Sequence, residues 1–271
     1  MPDLPPLREV IKRHGLGAKR ELGQHFLLDL NLCGRVARAA GDLSQSNVIE
    51  IGPGPGGLTR SLLEAGAKSV TAVEVDERCV TALEDLAAAY PGRLRVIKGD
   101  ALEMDVAALC EAPRRIVANL PYNIATPLLI GWLRRVSSFE GFTCMFQREV
   151  AMRLTASPGS KNYGRLSVIV QWLSEARHAF NVAKDAFTPP PKVASSVVTL
   201  TPRPEPLAPA SWESLEAVTK AAFGQRRKML RASLRPLNLD LESLGIDPTA
   251  RAENLEVTQF CALARALEAK R

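Results

Sequence analysis

The sequence predicts an α/β protein: a mostly parallel sheet with helices on both faces, followed by a small all-helical domain. Three observations carry this. Short β-rich apolar runs alternate with helical patterns from residue 47 to about 201, the signature of repeated βαβ units. The first run ends in a glycine-rich turn that opens a helix, as at the head of a ligand-binding α/β sheet. A proline-dense stretch at 201–209, "TPRPEPLAP", then closes the strand pattern, and only amphipathic helices follow it. The chain has 271 residues, enough for one large and one smaller domain, expected at 1–203 and 204–271.

In chain order, residues 1–45 read as helices ahead of the sheet, joined through "AKRELGQHFLLD" at 18–29. Strands are expected over 48–51, 69–75, 94–98, 115–118 and 142–146, with helices over 58–65, 76–90, 107–110 and 124–136 between them. The runs 176–182 and 194–200 form a hairpin closing the sheet edge, and helices are expected over 212–223, 226–234 and 258–270.

Composition narrows the function. At 46% hydrophobic and 24% charged the chain is ordinary globular protein, and its net charge of +6 favours an anionic partner, nucleic acid being the commonest. The five cysteines are scattered and form no CxxC pair or Cys/His cluster, which argues against a structural metal or a disulfide framework. The opening residues carry no apolar signal core and no apolar run approaches a membrane span, so a soluble cytoplasmic protein is expected.

The glycine turn lies in "VIEIGPGPGGLT" at 48–59, where Gly52, Gly54, Gly56 and Gly57 fit both the dinucleotide pattern and the looser methyltransferase pattern. Charge separates the two. Glu50, two residues before Gly52, opposes a pyrophosphate and suits a cationic ligand such as S-adenosylmethionine, unless it is a structural carboxylate bonded to local amides. Glu74, 22 residues after Gly52, ends the second strand, where an acid accepts ribose hydroxyls. Asp100, ending the third, either accepts an adenine amino group or caps the next helix.

"NLPY" at 119–122 ends the fourth strand with an amide, a proline and a ring. Adenine's exocyclic nitrogen is a poor nucleophile because its lone pair is delocalised into the ring. A site that methylates it must accept hydrogen bonds from the amino protons and aim the lone pair at the methyl donor. The Asn119 side-chain carbonyl and the Leu120 backbone carbonyl are such acceptors, Pro121 fixes the turn, and Tyr122 offers a stacking face worth roughly 1–3 kcal/mol. The alternative is a β-turn with a satisfied Asn and a core Tyr.

These motifs also resemble a known family. "LGQHFLLD", "VIEIGPGPGGLT", "VEVD", "KGDAL", "VANLPYNIATPLL", "FQREVAMRLTASPGSKNYGRLSV", "AFTPPPKVASSVV" and "FGQRRKMLRASL" occur in the order seen in the small-subunit rRNA adenine dimethyltransferases. The resemblance runs from about Ala18 to the carboxyl terminus. It implies a class I S-adenosylmethionine-dependent methyltransferase fold that dimethylates N6 of two adjacent adenosines in a hairpin near the 3′ end of 16S rRNA. The partner implied is the 30S subunit, and the chain is expected to act as a monomer without a metal. Cofactor contacts implied by the resemblance fall on His25, Leu27, Gly52, Glu74, Asp100 and Asn119, with His25 standing where many relatives have Asn. Phe187 resembles the aromatic that sandwiches the target base against Tyr122; on the residues alone it is packing beside a proline turn.

A basic stripe, Arg227, Arg231 and Arg235 with Arg226 and Lys228 beside it, recurs every four residues on a predicted helix free of acids from 224 to 239. It is the expected RNA-facing surface, with a second basic group at Lys12, Lys19 and Arg20 as the alternative. The rival readings are methylation of 23S rRNA or DNA, a non-catalytic assembly or transcription factor, and an NAD-binding oxidoreductase. Leu120 stands where DNA adenine methyltransferases tend to carry a second proline, and an intact Glu74, Asp100 and Asn119 oppose lost catalysis.

Overall fold

The computed structural model describes residues 4–19 and 21–270, so Arg20 of the second basic group lies outside the described residues. The chain divides into two compact units: Met1–Ala151 with Arg177–Thr201, and Met152–Ala176 with Pro202–Arg271.

The strands are β1 Phe26–Leu27, β2 Asn47–Ile51, β3 Ser69–Glu74, β4 Leu94–Lys98, β5 Arg114–Asn119, β6 Gly141–Gln147, β7 Ser174–Val182, β8 Phe187–Thr188 and β9 Ser195–Pro202. The α-helices are α1 Leu7–Arg13, α2 Leu30–Ala39, α3 Gly57–Glu64, α4 Glu77–Ala89, α5 Ala125–Leu133, α6 Arg148–Leu154, α7 Arg165–Leu173, α8 Trp212–Gly224, α9 Leu230–Ser233 and α10 Val257–Glu268.

Seven strands form one sheet in the order β4-β3-β2-β5-β6-β9-β7. β2 pairs in parallel with β3 on one side and β5 on the other, while β9 runs antiparallel to β6. Every residue of β2 is buried, because both faces of a parallel strand are covered by helices. One face packs against α2 and α3 through Val36, Ala37, Leu58, Leu62 and Leu63. Successive strands leave β2 first towards β4 and then, with β5, towards β6. The carboxyl ends of β2 and β5 therefore flank a topological switch point, where an open α/β sheet holds its ligand.

The amino-terminal region departs from the expected run of helices. β1 pairs antiparallel with β8, setting Leu27 opposite Phe187 and Phe26 opposite Thr188. Two residues are too short a stretch to leave a period in the sequence.

The second unit differs from the expected 204–271 by recruiting residues 152–176. Tyr163 and Trp172 of that segment meet Phe223 and Trp212 of α8, each at a ring-centroid distance of 6.1 Å. Phe223 in turn stacks on Phe260 of α10 at 5.5 Å, and the Gly159 amide donates to the Glu253 carbonyl. The break between Thr201 and Pro202 falls on the proline-dense stretch, and aromatic contacts join residues 152–176 to the helices that follow it.

The helix expected over 226–234 is also corrected. α8 ends at Gly224, a turn follows, and only Leu230–Ser233 is α-helical. The Leu230 and Arg231 amides donate to the carbonyls of Ala250 and Pro248 instead of to the preceding turn. Backbone groups committed across the unit cannot also close an i→i−4 ladder. Arg227, Lys228, Arg231 and Arg235 stay exposed, but they occupy a turn, a one-turn helix and a 3-10 turn, so they form no single helical stripe. Arg226 is tied down, donating to the carbonyls of Lys161 and Tyr163 and pairing with Glu253 at 3.2 Å. Glu253 is the opposing acid that the local sequence lacks.

Among the described residues, no helix is long and apolar enough to cross a membrane.

Candidate active site

A cleft opens at the switch point in the first unit. His25, Leu27, Glu50, Gly52, Glu74, Asp100, Asn119, Leu120 and Tyr122 all line it. Residues from five separated motifs thus meet in one place.

The floor is the turn between β2 and α3. Gly54 has φ +56°, and a Cβ there would stand 2.9 Å from the Phe26 ring, so only glycine fits. Its amide is turned inwards and donates to Glu74 Oε2 at 3.0 Å. Glu74 Oε1 accepts from the Val75 and Asp76 amides, each at 2.9 Å. Burial pushes the Glu74 carboxyl above its ordinary range, against the pull of these three amides. A carboxylate offers about four acceptor sites, so Glu74 keeps room for one more donor, such as a ribose hydroxyl.

Glu50 differs. It is 1% exposed and its Oε2 has no hydrogen-bond partner. Burial pushes its carboxyl up to about 8, the Thr59 hydroxyl opposing and the Glu74 carboxylate adding to the rise. An unpaired oxygen fits the reading of Glu50 as facing a cationic ligand and not that of a carboxylate bonded to local amides.

Asp100 accepts the Leu102 amide at 2.9 Å in a local turn, and no α-helix follows it before α5, so it caps none. It is exposed at the cleft edge.

Asn119 ends β5. Its Nδ2 donates to the His25 backbone carbonyl at 3.0 Å. A carbonyl only accepts, so this bond fixes which way the amide faces and leaves Oδ1 as the outward acceptor. The Pro121 carbonyl accepts from Ile124 and Ala125 and starts α5 immediately beyond the turn. Tyr122 is half-buried, and its hydroxyl bonds Ser195 Oγ on β9. That tether holds the ring by its far end, which the sequence did not reveal.

The His25 ring is the shared neighbour of two others, 5.7 Å from Tyr122 and 6.5 Å, edge-on, from Phe187. Its Nδ1 lies 2.8 Å from the Pro189 carbonyl, which fixes the proton on Nδ1 in the neutral ring. Phe187 is only 2% exposed and packs with Leu27, Val182 and Val197. His25 thus stands next to both Tyr122 and the buried Phe187.

Sequence reasoning missed the fastening between motifs. Gln24 accepts the Lys19 amide and donates to Asp76 Oδ2, binding the "LGQHFLLD" motif to the "VEVD" motif. Asp76 also pairs with Arg78 at 2.7 Å, which holds its carboxyl down at about 2.

The residues present fit S-adenosylmethionine. The glycine turn leaves a backbone cradle that a Cβ would fill, and an orphaned buried carboxyl oxygen awaits a cation. Among the described residues no group of His, Cys, Asp and Glu could hold a metal ion.

Comparison with known proteins agrees with this geometry. The family described as "Ribosomal RNA adenine dimethylase" matches residues 15–269. A Rhodospirillum rubrum protein named "Ribosomal RNA small subunit methyltransferase A" is 66% identical over 270 residues, covering 98% of this chain and 93% of its own. One of the same name from Paramagnetospirillum magneticum is 64% identical over 273 residues, covering 100% of this chain and 97% of its own. Among solved structures, a dimethyladenosine transferase from Plasmodium falciparum superposes with a TM-score of 0.80 at 26% identity, covering 91% of this chain and 98% of that one. The 23S rRNA methyltransferase ErmE gives 0.70 at 28% identity, covering 90% and 99%. With its sheet order, its cleft and a match over nearly its whole length, the chain belongs to the ribosomal RNA adenine dimethylase family.

Proposed function

We propose that this cleft is where the chain, an S-adenosylmethionine-dependent rRNA adenine dimethyltransferase, methylates N6 of two adjacent adenosines in a hairpin near the 3′ end of 16S rRNA. The observation that carries the reading is the Asn119 amide, pinned through Nδ2 by the His25 carbonyl so that Oδ1 is held out as an acceptor. S-adenosylmethionine supplies an electrophilic methyl group on a sulfonium centre. The chain's own groups place the nucleophile. Asn119 Oδ1 and the Leu120 carbonyl accept the two amino protons, which turns the nitrogen lone pair out of the ring plane towards the cleft. The extruded base stacks on Tyr122, whose ring Ser195 steadies, with His25 and the edge of Phe187 forming the opposite wall. Glu74 takes the ribose hydroxyls, Asp100 the cofactor's adenine, and His25, Leu27 and Gly52 complete the cofactor's surroundings. No general base is needed, because a methylated amino nitrogen is cationic and sheds its proton to water. Positioning then carries most of the catalysis, a contribution that reaches roughly 7–11 kcal/mol in well-oriented systems.

The substrate is the 30S particle, docked through Arg227, Lys228, Arg231 and Arg235, and the protein works as a cytoplasmic monomer. Arg226 belongs to the unit's internal scaffold instead. The relatives named for the small subunit are far more similar to this chain than ErmE is, which favours 16S over 23S rRNA. The test is labelled S-adenosylmethionine offered to undermethylated 30S, 50S, naked rRNA and DNA. Label should enter 30S as dimethyladenosine at neighbouring positions; label in 50S or DNA would refute the assignment.

A further inference from the structure

The rim beyond Tyr122 carries two cations that the chemistry above leaves unused. Ser195, bonded to the Tyr122 hydroxyl, stands opposite Gln147 in the antiparallel register, so the end of β6 and the start of β9 meet beside that ring. One residue further out, the Arg148 amide donates to the Ala194 carbonyl at 2.9 Å. The loop leading into Ala194 begins at Pro189, whose carbonyl holds the His25 ring. Residues 189–194 thus run from one ring of the base pocket to the tether of the other, all within the first unit.

Arg148, at the start of α6, and Lys192, in that loop, are both exposed. Among the described residues neither side chain has a hydrogen-bond or ion-pair partner. Glu149 leaves α6 about 100° round from Arg148, and Asp185 sits at the far end of the segment, before Phe187. Two unneutralised cations therefore border the mouth of a pocket read above as taking an extruded base. Lys192 is two residues from Ala194, at most about 7 Å of chain, which is the scale that separates neighbouring phosphates on one strand. Turning a nucleotide out of its stack brings its own phosphate and the next one to the mouth of the pocket, where their charges repel.

We propose that Arg148 and Lys192 grip the two phosphates that flank the extruded adenosine. The guanidinium fork suits a bidentate phosphate contact and the ammonium a point contact. Neither contact reads sequence; together they hold the strand in its turned-out form. They form only once the base has left its stack, so they favour the reactive complex over the merely docked one. Their loss therefore falls on turnover and not on particle affinity. This rests on the base-pocket reading given above.

The experiment is single-turnover methylation of undermethylated 30S particles by the full chain at saturating enzyme, with particle and cofactor affinities measured separately. Arg148→Ala and Lys192→Ala should each slow methyl transfer by about 10- to 100-fold, with both affinities and thermal unfolding near wild type. Arg148→Lys and Lys192→Arg keep the charge and should recover most of the rate, which a role in folding would not predict. Gln at either position keeps much of the stem and should be as slow as Ala. An unchanged rate in both alanine variants would overturn the proposal. So would weaker particle binding with a wild-type rate at saturation, which would make the pair ordinary docking cations, or a loss of cofactor affinity, which would assign them to the cofactor's carboxylate. A fully active Tyr122→Ala would instead remove the base pocket itself, so the two failures are distinguishable.

Discussion

Glu50 ties the stability of the chain to pH without any ligand. Its carboxyl titrates at 4.5 in an ordinary setting and at about 8 in the folded chain. Between those values the folded chain holds a proton that the unfolded chain has released. Stability therefore falls as pH rises through this window, by about 1.4 kcal/mol per pH unit, and levels off above it. Across the whole window the loss is about 5 kcal/mol as an upper bound, and water relaxing into the cleft brings it to about half that. Glu50→Gln keeps the shape and removes the titration. Without cofactor, the variant and the wild type should differ little near pH 4.5 and diverge as pH rises, the variant melting about 5–10 °C higher near pH 8. Thermal unfolding of both proteins across a pH series measures this. Parallel melting curves would show that Glu50 does not change protonation. A wild type that becomes the more stable of the two at high pH would show that its carboxylate is ionised and paired.

Asn119→Asp sets a carboxylate oxygen against the His25 carbonyl in place of a donor at 3.0 Å; methyl transfer should drop by about 100-fold or more, while particle affinity stays near wild type. Gly57→Ala forces a Cβ to 2.5 Å from the Leu27 carbonyl, whereas Gly131→Ala in α5 meets nothing within 4 Å. The first should destabilise by about 1–3 kcal/mol and weaken cofactor binding, and the second should stabilise by about 0.5–1 kcal/mol, both read by denaturant unfolding. Tyr122→Phe loses the Ser195 tether but keeps the ring, so turnover should fall modestly, against near-complete loss in Tyr122→Ala; equal loss would assign the role to the hydroxyl. Replacing Arg227, Lys228 and Arg231 together by Ala should leave cofactor affinity unchanged and flatten the log–log salt dependence of 30S binding by about two to three; coincident salt curves would mean that these residues face solvent in the complex.

The parts of the fold that announce themselves in the sequence are those whose pattern is local. "VIEI" reads as a buried strand because all but one of its residues are apolar, and "RRIVA" because an arginine pair opens into an apolar run; β2 and β5 extend one residue beyond the expected 48–51 and 115–118 at one end or both. The glycine turn, Glu74 and Asn119 were legible for the same reason: each sits at a strand end and is marked by its own residue type, the turn by backbone freedom and the other two by a polar side chain. What stayed hidden depends on partners distant in sequence. β1 and β8 are two residues each, and only their mutual pairing makes them strands. The segment 226–234 has helical spacing, yet its amides are claimed by Ala250 and Pro248. Phe187 reads as packing beside a proline turn, but nothing local shows that it packs by pairing with Leu27. Glu50 was visible as a charge, but its lack of a partner is a property of the whole cleft.

The short segment from Gln24 to Leu27 shows why such hidden links govern the chemistry. Gln24 holds Asp76 at the head of α4, next to Glu74, which is proposed above to take the ribose hydroxyls. The His25 carbonyl sets the Asn119 amide, the Phe26 ring lies against Gly54, and the Leu27 carbonyl closes over Gly57. Four consecutive residues thus touch the glycine turn, Asp76 and the Asn119 amide, two of them through backbone oxygens that side-chain replacement does not remove. A substitution of the His25 side chain should accordingly leave the Asn119 bond in place, whereas any change that displaces the segment as a whole, as Gly57→Ala does, disturbs cofactor and base sites together. Loss of cofactor binding on mutation here is therefore weak evidence of direct contact. The discriminating measurement is whether cofactor affinity and methyl-transfer rate fall in parallel, as displacement requires, or separately, as loss of one contact does.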